Sequence, residues 1–137
     1  MSSSRSRVLV VADRERTVSA LRSSLEEQGC EPLLAADGEA ALRVVDARMP
    51  DAAVLDLRMP ALDGWVLLAL LGGRSARPKL VVCSASTKVE EQQRAFDLGA
   101  DAFVPGPFDA QYVARTVREV LARDGAMITE ARRAEAR

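Results

Sequence analysis

Five short apolar runs recur along this chain, at 7–11, 31–35, 52–56, 79–83 and 101–104. Between and after them the pattern changes to helical spacing, at about 15–27, 38–47, 64–71, 87–98 and 108–123. This alternation constrains the fold more than any other feature. Runs this short and mostly apolar, with the charges at their ends, are what strands covered on both faces look like. In the first helical segment Val18, Leu21 and Leu25 form one buried stripe, and Gly29 stands just past the last turn. In the last segment Tyr112, Val113, Thr116, Val117, Val120 and Leu121 repeat that period, with Asp109 and Arg123 placed to suit the helix dipole. The third segment is apolar almost all round and ends at Gly72-Gly73.

A fivefold strand–helix alternation implies an α/β three-layer sandwich, a parallel sheet with helices on both faces. Right-handed crossovers leave few topologies, and at this length the flavodoxin-like (βα)5 order 2-1-3-4-5 is the commonest. That order sets the ends of the first, third and fourth strands side by side, so Asp13, Asp56 and Ser84 are expected to converge at one crevice. It also separates Cys30, on an edge, from Cys83, and no disulfide is expected between them. With 137 residues the chain has room for one domain, expected over 7–123. Residues 1–6 are Ser/Arg-rich and expected to be disordered. Residues 124–137 read as a charged tail or linker; they could extend the last helix, but Gly125 argues for a break.

Composition removes several classes of function. The chain has no histidine and only two cysteines, without metal spacing. Imidazole bases, Ser-His or Cys-His pairs and most zinc sites are therefore excluded. A net charge of −1 gives no global attraction to nucleic acid or anionic membrane, and the Arg132-Arg133 pair is balanced by Glu130 and Glu135. Direct nucleic-acid binding by this chain is not expected. No apolar stretch approaches the ~18 residues a bilayer span needs, and the polar start does not look like a signal peptide. A cytoplasmic location with no membrane contact is the expectation.

The chemistry concentrates in Val54-Leu55-Asp56-Leu57-Arg58-Met59-Pro60, followed by Asp63-Gly64. An acid at the carboxyl end of a buried strand lies where open α/β sheets place their ligands. A second acid, Asp13, follows Val8-Leu9-Val10-Val11. Two strand-end carboxylates in one parallel sheet suit a cation or a phosphoryl group. Together with Asp37-Gly38-Glu39-Ala40-Ala41-Leu42, Val81-Val82-Cys83-Ser84-Ala85, Gly99-Ala100-Asp101 and Pro107-Phe108, these runs resemble the receiver domain of two-component response regulators over about residues 5–123.

The resemblance implies a role for each matching residue. Asp56 would be the phospho-acceptor. Asp13, Asp56 and the backbone carbonyl of Arg58 would be the ligands of Mg²⁺, hard oxygens suited to that cation. Ser84 and Phe103 would be the switch residues that respond to a phosphoryl group, and Gly106-Pro107 would be a cis peptide. The chain departs from the family pattern twice. Ala12 stands where the first of two paired acids is usual, and Gly106 where a lysine precedes the cis proline. A lysine there would give a charge-assisted hydrogen bond of roughly 1.5–3 kcal/mol. Its loss implies weak or phosphate-independent switching, and Mg²⁺ binding weakened or absent.

Plainer readings stand beside these. Asp13 could serve as a helix N-cap, Ser84 could satisfy loop backbone groups, and Phe103 could be a packed aromatic. Arg14 and Arg58 are the two arginines that could reach the crevice and replace the missing cation, if they are not simply solvated. The expected function is a non-enzymatic receiver domain in phosphorelay signal transduction with a degenerate pocket. Its expected partners are a sensor histidine kinase or another signalling protein, with a homodimer possible through the fourth-helix to fifth-helix face. The alternative is a small flavodoxin-like hydrolase or ligand-binding domain.

Overall fold

The structure is a computed structural model that describes residues 5–59 and 64–136, with side chains described as far as Arg123. Its elements run β1 Arg7–Val11, α1 Glu15–Glu27, β2 Glu31–Ala35, α2 Gly38–Arg48, β3 Ala52–Asp56, α3 Gly64–Gly72, β4 Lys79–Cys83, α4 Val89–Asp97, β5 Ala102–Val104 and α5 Ala110–Ala136. The five strands form one parallel sheet in the order β2-β1-β3-β4-β5. This is the flavodoxin-like topology expected from the alternation.

Strand period divides the core into two layers. Val8, Val10, Val54, Val81 and Cys83 point to the side covered by α1 and α5, where Leu21, Leu25, Val113 and Val117 meet them. Leu9, Val11, Leu55, Leu80 and Val82 point the other way, onto Val45 of α2, Leu67, Leu68 and Leu71 of α3, and Ala95 of α4. Because successive residues face opposite sides, a strand buried on both faces carries no polar position. That is why β1, β3 and β4 read as unbroken apolar runs.

The helix ends show how local chemistry places the loops. Asp37 caps α2 by accepting the Ala40 N–H at 2.8 Å. Asp109 opens α5, its carboxylate accepting from the Gln111 N–H at 3.2 Å and its carbonyl from the Val113 N–H at 3.0 Å. After α1, Gly29 takes φ +79° while its N–H donates to Glu26 and that of Cys30 to Leu25, each at 3.0 Å. This double bond with a left-handed residue is a Schellman ending. Gly72 is fixed by space instead: a Cβ there would lie 1.8 Å from the carbonyl oxygen of Leu98, where the ends of α3 and α4 abut.

The bounds of three elements depart most from expectation. β5 begins at Ala102 because Asp101 is committed to Leu80, donating its N–H to that carbonyl at 2.7 Å and accepting that N–H on its carboxylate at 2.8 Å. α4 is shorter at both ends, starting after Lys88. α5 does not break at Gly125 but runs on to Ala136. A single helical glycine costs about 1 kcal/mol, which good helix formers such as the surrounding alanines, arginines and glutamates offset. At the N terminus residues 1–4 lie outside the described residues, while the Ser6 carbonyl already accepts from the Glu31 N–H at 2.8 Å. Cys30 and Cys83 are buried free thiols. Among the described residues no helix is long and apolar enough to cross a membrane.

Candidate functional site

Asp56 ends β3, in register with Cys83 of β4 and beside the end of β1. Its side chain is 1% exposed, so the carboxylate must be compensated from within. Arg58, two residues on, provides that compensation. The turn after β3, where the Met59 N–H returns to the Asp56 carbonyl at 3.3 Å, brings the arginine back over the strand end. One carboxylate oxygen accepts from both the backbone N–H and Nε of Arg58, each at 2.9 Å. The other accepts from Nη2 at 2.9 Å. This is a fork-on-fork pair, the strongest arrangement available to an arginine and a carboxylate.

The guanidinium is held on its other sides too. It lies over the Phe108 ring, 4.8 Å from the centroid, and Nη2 reaches Thr17 Oγ1 at 3.4 Å. The hydrogen bond to Asp56 raises the Arg58 pKa, partial burial works against that, and the charge of Asp56 and, more weakly, Asp13 add to the rise. Burial pushes the neighbouring Cys83 thiol far up, and the negative charge of Asp56 adds to this. Cys83 is consequently an inert thiol at neutral pH.

The remaining candidates gather at this end of the sheet in unequal condition. Asp13 is exposed in the β1–α1 loop and is not a helix cap, because α1 has Arg14 as its N-cap residue without a side-chain cap bond. Among the described residues Arg14 forms no ion pair, so Arg58 is the arginine that enters the crevice. Ser84 is buried, its hydroxyl accepting from the Ser86 N–H at 3.0 Å and its own N–H donating to the Val104 carbonyl at 3.1 Å. Its hydroxyl thus holds the β4–α4 loop. Phe103 is half-buried against the layer containing α2, α3 and α4. Gly106-Pro107 is a cis peptide. Pro60 and Asp63 lie outside the described residues.

Gly106 is more than a missing side chain. A Cβ at this position would stand 2.7 Å from Cα of Ala85 and 2.8 Å from the carbonyl oxygen of Ser84. The β4–α4 loop therefore packs into the place from which a side chain would depart. Ala12, 1% exposed, is likewise absorbed into the core beneath α1.

The donors as arranged do not fit Mg²⁺. Among the described residues no three His, Cys, Asp or Glu side chains converge to hold a metal ion. Both oxygens of Asp56 already face a cation, and a second positive charge beside it would be repelled. Sequence reasoning did not single out Thr17 or Phe108 as neighbours of Arg58. Phe108 is visible in sequence only as part of the Pro107-Phe108 run, and no motif marks Thr17; their approach to Arg58 comes from the packing of α1 and of the loop before α5 beside the end of β3.

Residues 8–118 match the family model described as response regulator receiver domain. Response regulator MprA of Mycobacterium tuberculosis is 37% identical over 117 residues, covering 85% of this chain and 51% of that protein. Transcriptional regulatory protein PrrA of Mycobacterium bovis is 34% identical over 123 residues, 90% of this chain and 53% of that protein. The chain thus spans about half the length of these curated relatives. Among solved structures, the receiver domain of Francisella response regulator 1452 superposes with a TM-score of 0.81 at 27% identity, over 88% of this chain and 99% of that one.

Proposed function

The chain belongs to the response regulator receiver domain family, and we propose that it is a two-component signalling module whose phospho-acceptor pocket is occupied by its own arginine. The observation that carries this reading is the pair of guanidinium bonds, 2.9 Å each, between Arg58 and both oxygens of the buried Asp56. A receiver aspartate acts as nucleophile toward a phosphoryl donor, beside a divalent cation that neutralises developing charge. Here the guanidinium shares the carboxylate charge and lowers its nucleophilicity. Displacing such bonds costs roughly 1.5–3 kcal/mol, one to two powers of ten in an equilibrium constant.

Asp56 keeps the role of phospho-acceptor in this reading, with Asp13 and the Arg58 carbonyl as the further donors to a cation once the guanidinium has left. Ser84 and Phe103 keep the switch positions, but the approach of Gly106 to Ser84 and Ala85 supports a loop that moves less freely. Output then depends on protein contact more than on phosphate. The partners are a sensor histidine kinase or another signalling protein. Val89, Phe96 and Tyr112 are exposed on α4 and α5, which supports self-association or docking through that face. The domain is not an enzyme and binds no nucleic acid itself, works in the cytoplasm, and in a longer protein would pass its state along α5 to an output domain.

The test is calorimetric titration of beryllofluoride, a mimic of the phosphoryl group, with and without Mg²⁺. The wild type should bind roughly 10–100-fold more weakly than Arg58→Gln, which lacks the competing fork. Wild-type binding as tight as that of the variant, Mg²⁺-dependent and lost in Asp56→Asn, would show a working phosphoryl pocket and end the proposal.

A further inference from the structure

Arg58 has a second neighbour besides Asp56. Its guanidinium forms part of the wall of a cleft of about 250 Å³ between α1 and the start of α5. Leu21, Pro107 and Phe108 give this cleft apolar walls, while Arg16, Thr17 and Arg58 contribute its polar groups. Among the described residues no carboxylate lines it. Small-molecule sites have this character: concave, mainly apolar, with a few placed polar groups.

The charges in the cleft are unequal. Arg58 is neutralised by Asp56, whereas Arg16 forms no ion pair among the described residues. The cleft therefore carries net positive charge against an apolar wall. The polar side is also fixed in advance, because Arg58 is held by Asp56, by the Phe108 ring and by Thr17. Groups already immobilised bind a ligand without further loss of side-chain freedom.

We propose that this cleft binds a small organic anion with a flat apolar body, such as an aromatic carboxylate. The anionic group lies between Arg16 and Arg58 within reach of the Thr17 hydroxyl, and the apolar body lies on Leu21, Pro107 and Phe108. The volume is below the range of roughly 300–1,000 Å³ of drug-sized sites, so the ligand is limited to one or two rings. Arg58 is shared between the ligand and Asp56, which couples occupancy of the cleft to the strength of the ion pair. Ligand binding would loosen Asp56 and, reciprocally, loosening Asp56 would favour the ligand. The proposal shares Arg58 with the reading above but does not require that Asp56 be refractory to phosphorylation.

The full chain, isotope-labelled, is titrated with 2-naphthoate while amide signals and the Arg58 Nε–H signal are followed. In parallel it is titrated with the uncharged 2-naphthamide and with inorganic phosphate. Saturable shifts are expected at Thr17, Leu21, Phe108 and Arg58 Nε–H. Affinity should be about tenfold weaker for the amide and for Arg16→Gln, the loss of one charge-assisted interaction. Ala20→Phe, on the exposed rim of the cleft, fills the space without touching the core and should abolish the shifts. Equal binding of amide and carboxylate, indifference to Ala20→Phe, shifts centred on Val89 and Tyr112, or no saturable binding would each overturn the proposal. So would phosphate shifts that depend on Asp56, which would assign the anion site to the aspartate. Beryllofluoride binding is scored separately, so failure of naphthoate removes this proposal alone, and a working phosphoryl pocket removes only the previous one.

Discussion

Two arginine–carboxylate pairs stand at opposite ends of the same sheet, and their settings differ. At the amino ends of the strands Asp101 accepts from the Leu80 N–H at 2.8 Å and from Arg77 Nη1 at 3.2 Å, with side chains 24% and 23% exposed. At the carboxyl ends Asp56 is 1% exposed and, among the described residues, receives three hydrogen bonds, all from Arg58. The Asp101 carboxylate joins β4 to the residue before β5 and would keep its backbone bond if the arginine left. Among the described residues Arg58 is the one partner of the Asp56 carboxylate; losing its side chain leaves a single backbone N–H bond and takes the counter-ion away from a charge that is fully buried. Similar chemistry thus makes a structural clasp at one end and a replaceable counter-ion at the other.

The sharpest way to break this comparison is to remove each arginine in turn. Arg58→Ala should destabilise the domain by about 3 kcal/mol, the low end for stranding one member of a buried pair, because the arginine is itself 27% exposed and water can enter. Urea denaturation measures it, and a loss equal to that of Arg77→Ala would dissolve the distinction. Asp56→Asn in the Arg58→Ala background should recover part of the loss, as an uncharged amide is cheaper to bury.

A pH series tests the dryness of the Asp56 end. Burial and the charge of Asp56 raise the Cys83 pKa in the folded state, so the native thiol holds its proton where the unfolded thiol loses it. The resulting stability is fully present below the unfolded value of about 8.5 and is lost as pH rises above it, by about 2 kcal/mol at pH 10. Cys83→Ala should flatten that part of the stability profile, and an unchanged profile would mean that solvent reaches the strand end. Arg77→Ala should cost only about 1 kcal/mol, as expected for a half-solvated pair whose acid keeps another donor. Phe108→Leu should cost least, about 0.5–1 kcal/mol for the lost ring beneath the guanidinium, with faster solvent exchange of the Arg58 Nε–H as its signature.

Much of this could be read before the fold was seen. Strand period placed β1, β2, β3 and β4 correctly, because both faces of each run had to be apolar or nearly so. The convergence of Asp13, Asp56 and Ser84 followed from topology alone, and the cis Gly106-Pro107 bond from the resemblance. The sequence left Arg14 and Arg58 as equal candidates for the missing cation. Only the turn after β3 decides between them, since it folds Arg58 back while Arg14 stays on the exposed start of α1. Gly106 reads in sequence as an absent lysine, yet the closeness of Ser84 and Ala85 depends on how two distant loops pack. Gly125 argues locally for a break, but the helical preference of its whole segment outweighs the cost of one glycine.

Arg58 stands where a cation would act, and Mg²⁺ affinity tests that most directly. Titrating wild type and Arg58→Gln with Mg²⁺ keeps the backbone carbonyl of residue 58 in both proteins and changes only the guanidinium. Affinity should rise roughly tenfold or more in the variant, the worth of the displaced charge-assisted bonds. Equal or weaker binding by Arg58→Gln would mean that the arginine does not compete for Asp56, and would contradict the account.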